Sequence, residues 1–375
     1  MISGQRIVCL SSLAWHGRPT SRHHLARIFA EENDLLFVDP PRNLIRTRSV
    51  HRGRLHHEDG IVRLEPPPHL PVGGDLRFAA FTRLNQRRYA AAVERAVRSL
   101  GWRNPLLWSV FPVYSGARVA EHLRPSRHIL HMTDSLWDLP QYRAEYEGFL
   151  RRILATVDVA VGTTPAITER LGTYGVPTQH LGHGVDVELF ETALSPDPPL
   201  PDALRAQPRP RLGVVGQLDH RLDVELVVAL TEEGSVTLVG PSVLPAEETA
   251  ALQRAGCLLA GEVPYDDVPH WLAGFDVALL PYRLIDVVVA SRPLKLLDYL
   301  AAGLPVVSID IPAARDLTPV VTTAGSREAF VAAVRECAAE TDPATRQAGR
   351  ELARRHSWRQ VAEQLSSLFE HGHQP

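Results

Sequence analysis

The chain has 375 residues, of which 45% are hydrophobic and 22% charged, with a formal net charge of −3. This is length for two domains of about 100–200 residues each. The apolar content excludes a disordered chain, and the small net charge excludes a general polyanion binder. The charge is uneven, however. Residues 1–190 hold 24 Arg against 18 Asp and Glu, whereas 191–375 hold 16 Lys and Arg against 25 Asp and Glu. A basic first half suits an anionic ligand or a membrane surface, and ordinary surface scatter explains it equally well. The three cysteines, Cys9, Cys257 and Cys337, are far apart and form no CxxC. That argues against a disulfide framework or a zinc site and for a reducing, cytoplasmic compartment. The first residues lack a basic segment followed by a long apolar run, so no signal peptide is expected. No uncharged apolar stretch is long enough to span a membrane.

Arg6–Leu10 reads as a buried strand, followed by a polar stretch (11–21) and a helix over 22–32. Leu35–Asp39 is the next strand, closed by Pro40 and Pro41. Residues 42–63 read as irregular and basic, either a solvated loop or a contact for an anionic acceptor or lipid head groups. A Pro-rich stretch precedes a basic helix over 77–100. Strands are expected at 106–110, 129–132 and 157–161. Alternation of short apolar runs with amphipathic helices is the pattern of a parallel sheet. The Pro-rich run Ser195–Pro201 reads as a linker. The rhythm then restarts, with strands at 211–215, 236–239, 258–259, 276–280 and 305–309. A helix over 294–302 ends at Gly303, and an amphipathic helix over 358–369 closes the chain. Two doubly wound α/β sheets in tandem put a cleft between them, with ligands at the carboxyl ends of the strands.

The chain has 39 arginines and one lysine, Lys295. Ammonium and guanidinium are not interchangeable at a tight site, so a lone lysine among so many arginines points to a chemical requirement. Lys295 lies in Ala290-Ser-Arg-Pro-Leu-Lys-Leu-Leu-Asp298-Tyr, which opens a helix after an apolar strand. Ser291 suits a cap and Pro293 a first helical turn. A helix start with Arg292 and Lys295 favours a phosphate. Asp298, three residues after Lys295, lies on the same helical face, where a carboxylate could accept from two ribose hydroxyls. A capped helix with a surface Lys–Asp pair fits the spacing equally well.

The segment RPLKLLDYLAAGLPVVS is similar to the PxKxxEyLAaGxPVV signature of two-domain glycosyltransferases of the GT-B fold. The wider group is the retaining family 4; more narrowly the chain looks like teichuronic acid and other surface-polysaccharide transferases. SSLAWHGRPTSRHHLARIFA with FVDPPRN resembles the start of that subgroup. LGHGVDVELF resembles the interdomain turn, where His183 shapes the hinge. VGQLDHRLDVELVVAL resembles the opening of the second domain, and HSWRQVAEQLSSLF the closing helix. The fold implied is α/β, GT-B, with two Rossmann-like doubly wound domains facing a cleft. The divisions are 1–190 for the acceptor side, 191–357 for nucleotide-sugar binding, and 358–375 for the closing helix and tail.

The resemblance also implies roles. Gly216 lets the backbone approach the diphosphate, and Gln217 stands where many relatives have arginine. Arg221 falls near a basic donor-phosphate position, and Ser291, Arg292 and Lys295 surround the phosphates. Asp298 matches the ribose carboxylate, Val263 and Pro264 a loop that holds the base, and Tyr282 the donor loop. Asp134 is the first-domain candidate for catalysis, with a helix cap as the plain alternative. His16, Arg18 and Arg22 follow the first strand on the acceptor side. No cofactor and no metal are expected. The partners implied are a nucleotide-sugar donor and a glycan, lipid-linked or small-molecule acceptor, with peripheral contact with the inner membrane face as a further expectation and no nucleic acid. One departure stands out: Ala290 occupies the position where many relatives carry a glutamate that contacts the donor sugar. Neither domain offers the G-x-G-x-x-G of a nicotinamide oxidoreductase. A nucleotide-sugar epimerase of the same fold and a non-catalytic nucleotide-sugar-binding protein are the alternatives.

Overall fold

The computed structural model describes residues 1–17, 19–44, 51–70, 79–111, 115–137, 144–289, 291–339 and 342–371. The chain divides into two units, Met1–His183 with Trp358–Pro375, and Gly184–Ser357. The division expected at 190/191 thus falls earlier, and the closing helix belongs to the first unit. The Pro-rich run 195–201 lies inside the second unit. Ala193 before it and Leu204 after it are both buried in that unit's core, so this run is a surface loop of the unit.

The first unit is an eight-stranded sheet of β1 (Arg6–Leu10), β2 (Asp34–Val38), β3 (Arg54–Glu58), β4 (Ile61–Glu65), β5 (Leu106–Val110), β6 (Arg127–Met132), β7 (Val159–Gly162) and β8 (Thr178–His180). Their order is β3-β4-β2-β1-β5-β6-β7-β8. All pairs are parallel except β3–β4. Successive strand residues point to opposite faces, and both faces are covered. Ile7, Cys9, Phe37 and Trp108 pack under the helices Ser21–Ala30 and Trp358–His371. Val8, Leu10, Leu36 and Leu107 pack under Ala79–Ser99 and Gly116–Leu123. This explains why inner strands such as Val159–Gly162 read as unbroken apolar runs: buried on both faces, they have no polar side to show.

The hairpin β3–β4 corrects the irregular reading of 42–63; residues 45–50 of that stretch lie outside the described residues. Its turn is Asp59-Gly60, with φ of 51° and 76°, the left-handed pair that a two-residue hairpin loop demands. Arg63 is likewise no part of an open basic patch. It is buried and paired with Asp39 at 2.7 Å and Glu58 at 3.0 Å, and Asp39 also accepts from Trp15 N at 2.8 Å. Removing one partner of such a pair strands the other charge away from water. Arg63→Leu is expected to destabilise the first unit by about 3–5 kcal/mol, read from the urea midpoint by tryptophan fluorescence.

The second unit is a six-stranded parallel sheet of β9 (Arg211–Val215), β10 (Ser235–Val239), β11 (Leu258–Gly261), β12 (Val277–Leu280), β13 (Val306–Ile309) and β14 (Val321–Ala324). The order is β11-β10-β9-β12-β13-β14. The chain steps from β9 outward through β10 and β11, then returns to the other side of β9 with β12. Among the described residues, no helix is long and apolar enough to cross a membrane.

Candidate functional site

The reversal between β9 and β12 leaves a crevice at the carboxyl ends of these strands, where open α/β sheets bind ligands. β9 ends at Val215, and Gly216 follows with φ of 127° and its N–H bonded to Val239 O at 2.8 Å. β10 ends in Gly240, φ 140°, where any Cβ would overlap the Gly216 carbonyl oxygen. Only glycine permits either backbone, so the two strand ends close together with no side chain between them.

The helix Lys295–Ala301 runs away from this point. Leu296, Leu297 and Leu300 are buried in the unit core. Val215 N–H donates to the Tyr299 hydroxyl at 2.8 Å, tying the helix to the end of β9. Gly303, φ 71°, ends the helix, with Gly303 N bonded to Leu300 O and Leu304 N to Tyr299 O, the glycine stop that the sequence predicts. The start is later than the sequence suggests. Ser291 is not the cap; its hydroxyl donates to Val288 O at 2.8 Å. Pro293 lies before the first helical residue rather than on it, and its carbonyl accepts from Leu296 N. Proline disfavours helical geometry in the residue before it, which keeps Arg292 out of the helix.

Lys295 folds back over the strand end. Its Nζ donates to the Tyr282 hydroxyl and stands 4.8 Å from the centre of that ring. A Cβ at Gly216 would lie 2.5 Å from Nζ, so the absence of a side chain at 216 makes room for the ammonium. The two arginines expected beside it are otherwise engaged. Arg221 grips Asp219 with two bonds of 2.8 and 2.7 Å, and Arg292 lies 3.7 Å from Asp316. Among the described residues Lys295 has no carboxylate within ion-pair distance.

Asp298 stands one turn along. No hydrogen bond to its carboxyl is formed among the described residues. Burial pushes that carboxyl up to about 7, Lys295 pulling it down and Asp186 adding to the rise. Burial, with the charges of the same carboxylates, raises the Tyr265 hydroxyl. Asp186 caps the helix Val187–Glu191 through Leu189 N. Val263 and Pro264 lie just past β11 and lead into the turn Tyr265–Asp267, which places Tyr265 within electrostatic reach of Asp298. Gln217 is exposed. Ala290 lies outside the described residues. Sequence reasoning missed Asp219, Tyr265 and Asp186. Tyr265 directly follows Pro264 of the expected base-holding loop, but no spacing rule joins it to residue 298.

In the first unit, Arg22 is only 4% exposed and reaches Ser12 Oγ and Thr133 Oγ1, and Thr133 Oγ1 donates to Asp134 Oδ2 at 3.1 Å. Arg22 and Asp134 are thus joined through Thr133 at the ends of β1 and β6. His16 is drawn elsewhere, to Glu58 at 3.1 Å, and Arg18 lies outside the described residues. His131 is buried and carries no hydrogen bond on either ring nitrogen among the described residues. Burial drives it down to about 3, with His183 and Arg22 acting in the same direction, so it is neutral.

Residues 209–340 match the family model described as Glycosyl transferases group 1. The matched stretch contains Gly216, Tyr282, Lys295 and Asp298, and spans about a third of the chain. No curated protein matches the chain by sequence. Among solved structures, the chain is similar to Anabaena Alr3699/HepE in complex with UDP, at 14% identity and a TM-score of 0.68, over 98% of this chain and 99% of that one. It is similar to a glycosyltransferase from Rickettsia africae, at 11% identity and a TM-score of 0.69, over 98% of each chain. It is also similar to the catalytic domain of starch synthase IV from Arabidopsis thaliana bound to ADP and acarbose, at 11% identity and a TM-score of 0.67, over 99% of each chain. The fold is that of these GT-B neighbours, with two Rossmann-like α/β units.

Proposed function

We propose that this chain is a glycosyltransferase that moves a sugar from a nucleoside-diphosphate sugar to a hydroxyl group of a glycan, lipid-linked or small-molecule acceptor, with retention, in the manner of family 4. One observation carries the reading: the sole lysine of the chain holds its ammonium over a side-chain-free strand end with no ion pair among the described residues, and a partly buried carboxylate lies one helical turn away. A nucleoside diphosphate has the matching pair of features, a negative phosphate chain and a ribose with two vicinal hydroxyls. Gly216 admits the diphosphate, Lys295 meets its charge, and the Asp298 carboxylate accepts from the ribose hydroxyls. Val263 and Pro264 border the base.

In the reaction the bond between the anomeric carbon and the β-phosphate oxygen breaks, and the diphosphate leaves with the electron pair. An acceptor oxygen bonds to the same carbon, and its proton passes to the departing diphosphate. Negative charge grows on the departing oxygen, and an ammonium already placed against the Tyr282 ring stabilises that charge without reorganising. Asp134 is the proposed first-unit carboxylate in catalysis. The resemblance of RPLKLLDYLAAGLPVVS to the signature of the retaining family 4 supports retention, and the charge placement supports a donor carrying a diphosphate.

Calorimetric titration with UDP, ADP, GDP and TDP tests the reading. At least one is expected to bind in the micromolar range. If none does, the proposal is withdrawn. Mass detection of product from a donor panel then identifies the sugar.

A further inference from the structure

The Lys295 ammonium rests on Tyr282, and Tyr282 is held by more than Lys295. The ring is only 4% exposed. Arg221 covers it, with Cζ 5.5 Å from the ring centre, while Lys295 Nζ stands 4.8 Å from the same centre. The two segments are zipped together: Leu222 and Tyr282 form an antiparallel bridge, and Arg283 N donates to Arg221 O at 2.7 Å. Arg221 itself is gripped by Asp219 through both a side-chain nitrogen pair and its own backbone N–H.

These contacts divide the work between the two cations. A guanidinium forked onto a carboxylate has already satisfied its charge, and turning it toward a phosphate would leave Asp219, which is buried, unpaired. The Tyr282 hydroxyl is in the opposite position. Its oxygen accepts from the ammonium, and its own proton has no acceptor among the described residues. An O–H whose oxygen already accepts from a cation is polarised into a stronger donor. Any anionic oxygen that touches Lys295 therefore meets the Tyr282 proton beside it.

We propose that Tyr282 is the second ligand of the terminal phosphate of the bound nucleoside diphosphate, and that Arg221 is a positioning residue that acts through the Tyr282 ring. This deepens the donor-site reading above and rests on it. In this assignment a neutral hydroxyl, sharpened by Lys295, supplies the donor that the resemblance gives, in many relatives, to an arginine at position 217.

The test compares the tightest-binding nucleoside diphosphate with its monophosphate by calorimetry. Tyr282→Phe keeps the ring and removes only the hydroxyl. It is expected to weaken diphosphate binding about tenfold and to leave the monophosphate unchanged, which also verifies the fold. The paired change Asp219→Asn with Arg221→Gln removes the ion pair at constant net charge. It is expected to weaken diphosphate binding when Tyr282 is present and to add nothing in the Tyr282→Phe background. An undiminished diphosphate affinity in Tyr282→Phe, or an equal loss from the paired change in both backgrounds, overturns the proposal while the donor site stands. If the unsubstituted protein binds no nucleotide, the donor-site reading falls and takes this assignment with it.

Discussion

Lys295→Ala is expected to weaken nucleoside diphosphate binding about 100-fold, the range for losing a hydrogen-bonded charge from an anion site. Lys295→Arg should fall between Ala and the native residue. The charge returns, but a planar guanidinium must fit where a compact ammonium lies between the Tyr282 ring and Gly216. At pH 5, where the folded Asp298 carboxyl is protonated with or without Lys295, the three proteins should differ little in thermal stability, because Lys295 has no ion pair to lose among the described residues. Equal affinity for all three in calorimetry would remove Lys295 from the phosphate site. A large loss of melting temperature in Lys295→Ala would show instead that the lysine is structural.

Asp298→Asn is expected to act with opposite signs on stability and on binding. In the folded protein this carboxyl titrates at about 7, whereas in an unfolded chain an aspartate titrates near about 4. Between those values the folded state holds a proton that the unfolded state has released. Stability contributed at this residue is therefore greatest below about pH 4, falls as pH rises toward 7, and levels off above it. The Asn variant lacks this slope. At pH 8 it should be the more stable protein, by up to a few kcal/mol, because it no longer holds a desolvated carboxylate that has no hydrogen-bond partner among the described residues. At pH 4 the two should be nearly equal. Urea titrations at the two pH values measure the difference, and a gap that fails to widen with pH would contradict the burial of this charge.

Binding should run the other way. Ribose hydroxyls donate to the ionised carboxylate, so affinity for a nucleotide sugar should rise with pH up to about 7 and then level off. Below that it should fall by roughly tenfold per pH unit. A nucleotide sugar is the right probe because its diphosphate is esterified at both ends and does not itself titrate near neutrality. A flat profile from pH 5 to 8 would exclude Asp298 as the ribose acceptor. The Asn variant should bind more weakly at pH 8 and show no pH dependence from this source.

The two residues are coupled. Lys295 is the group that holds the Asp298 carboxyl down, so Lys295→Ala should also raise the pH at which binding levels off. Diphosphate affinity and its pH profile therefore separate the two roles within one set of titrations.

Much of this protein could be read from the order of its residues. The central strands are buried on both faces, so they appear as short apolar runs, and the helices between them carry their own stop signals, Gly303 being the clearest. The donor segment is local in the same way: Lys295 and Asp298 share a helical face because they are three residues apart. The hairpin of β3 and β4 was also legible through Asp59-Gly60. It was obscured because its edge strand, Arg54-Leu-His-His-Glu58, is too polar to show an apolar run. Other features depended on partners distant in the chain. The closing helix belongs to the first unit because Ser366 accepts from Ile2 N and Trp358 stacks on His24, and no sequence period links residues so far apart. Among the three cations near the donor segment, sequence could not say which carries a free charge. Asp316 engages Arg292 and Asp219 engages Arg221, so it is the tertiary structure that leaves Lys295, among the described residues, as the one without an ion pair. It also decided the state of Asp298, since a carboxylate's affinity for its proton follows from the water it has lost and the charges folded around it, here Asp186 from over a hundred positions earlier in the chain.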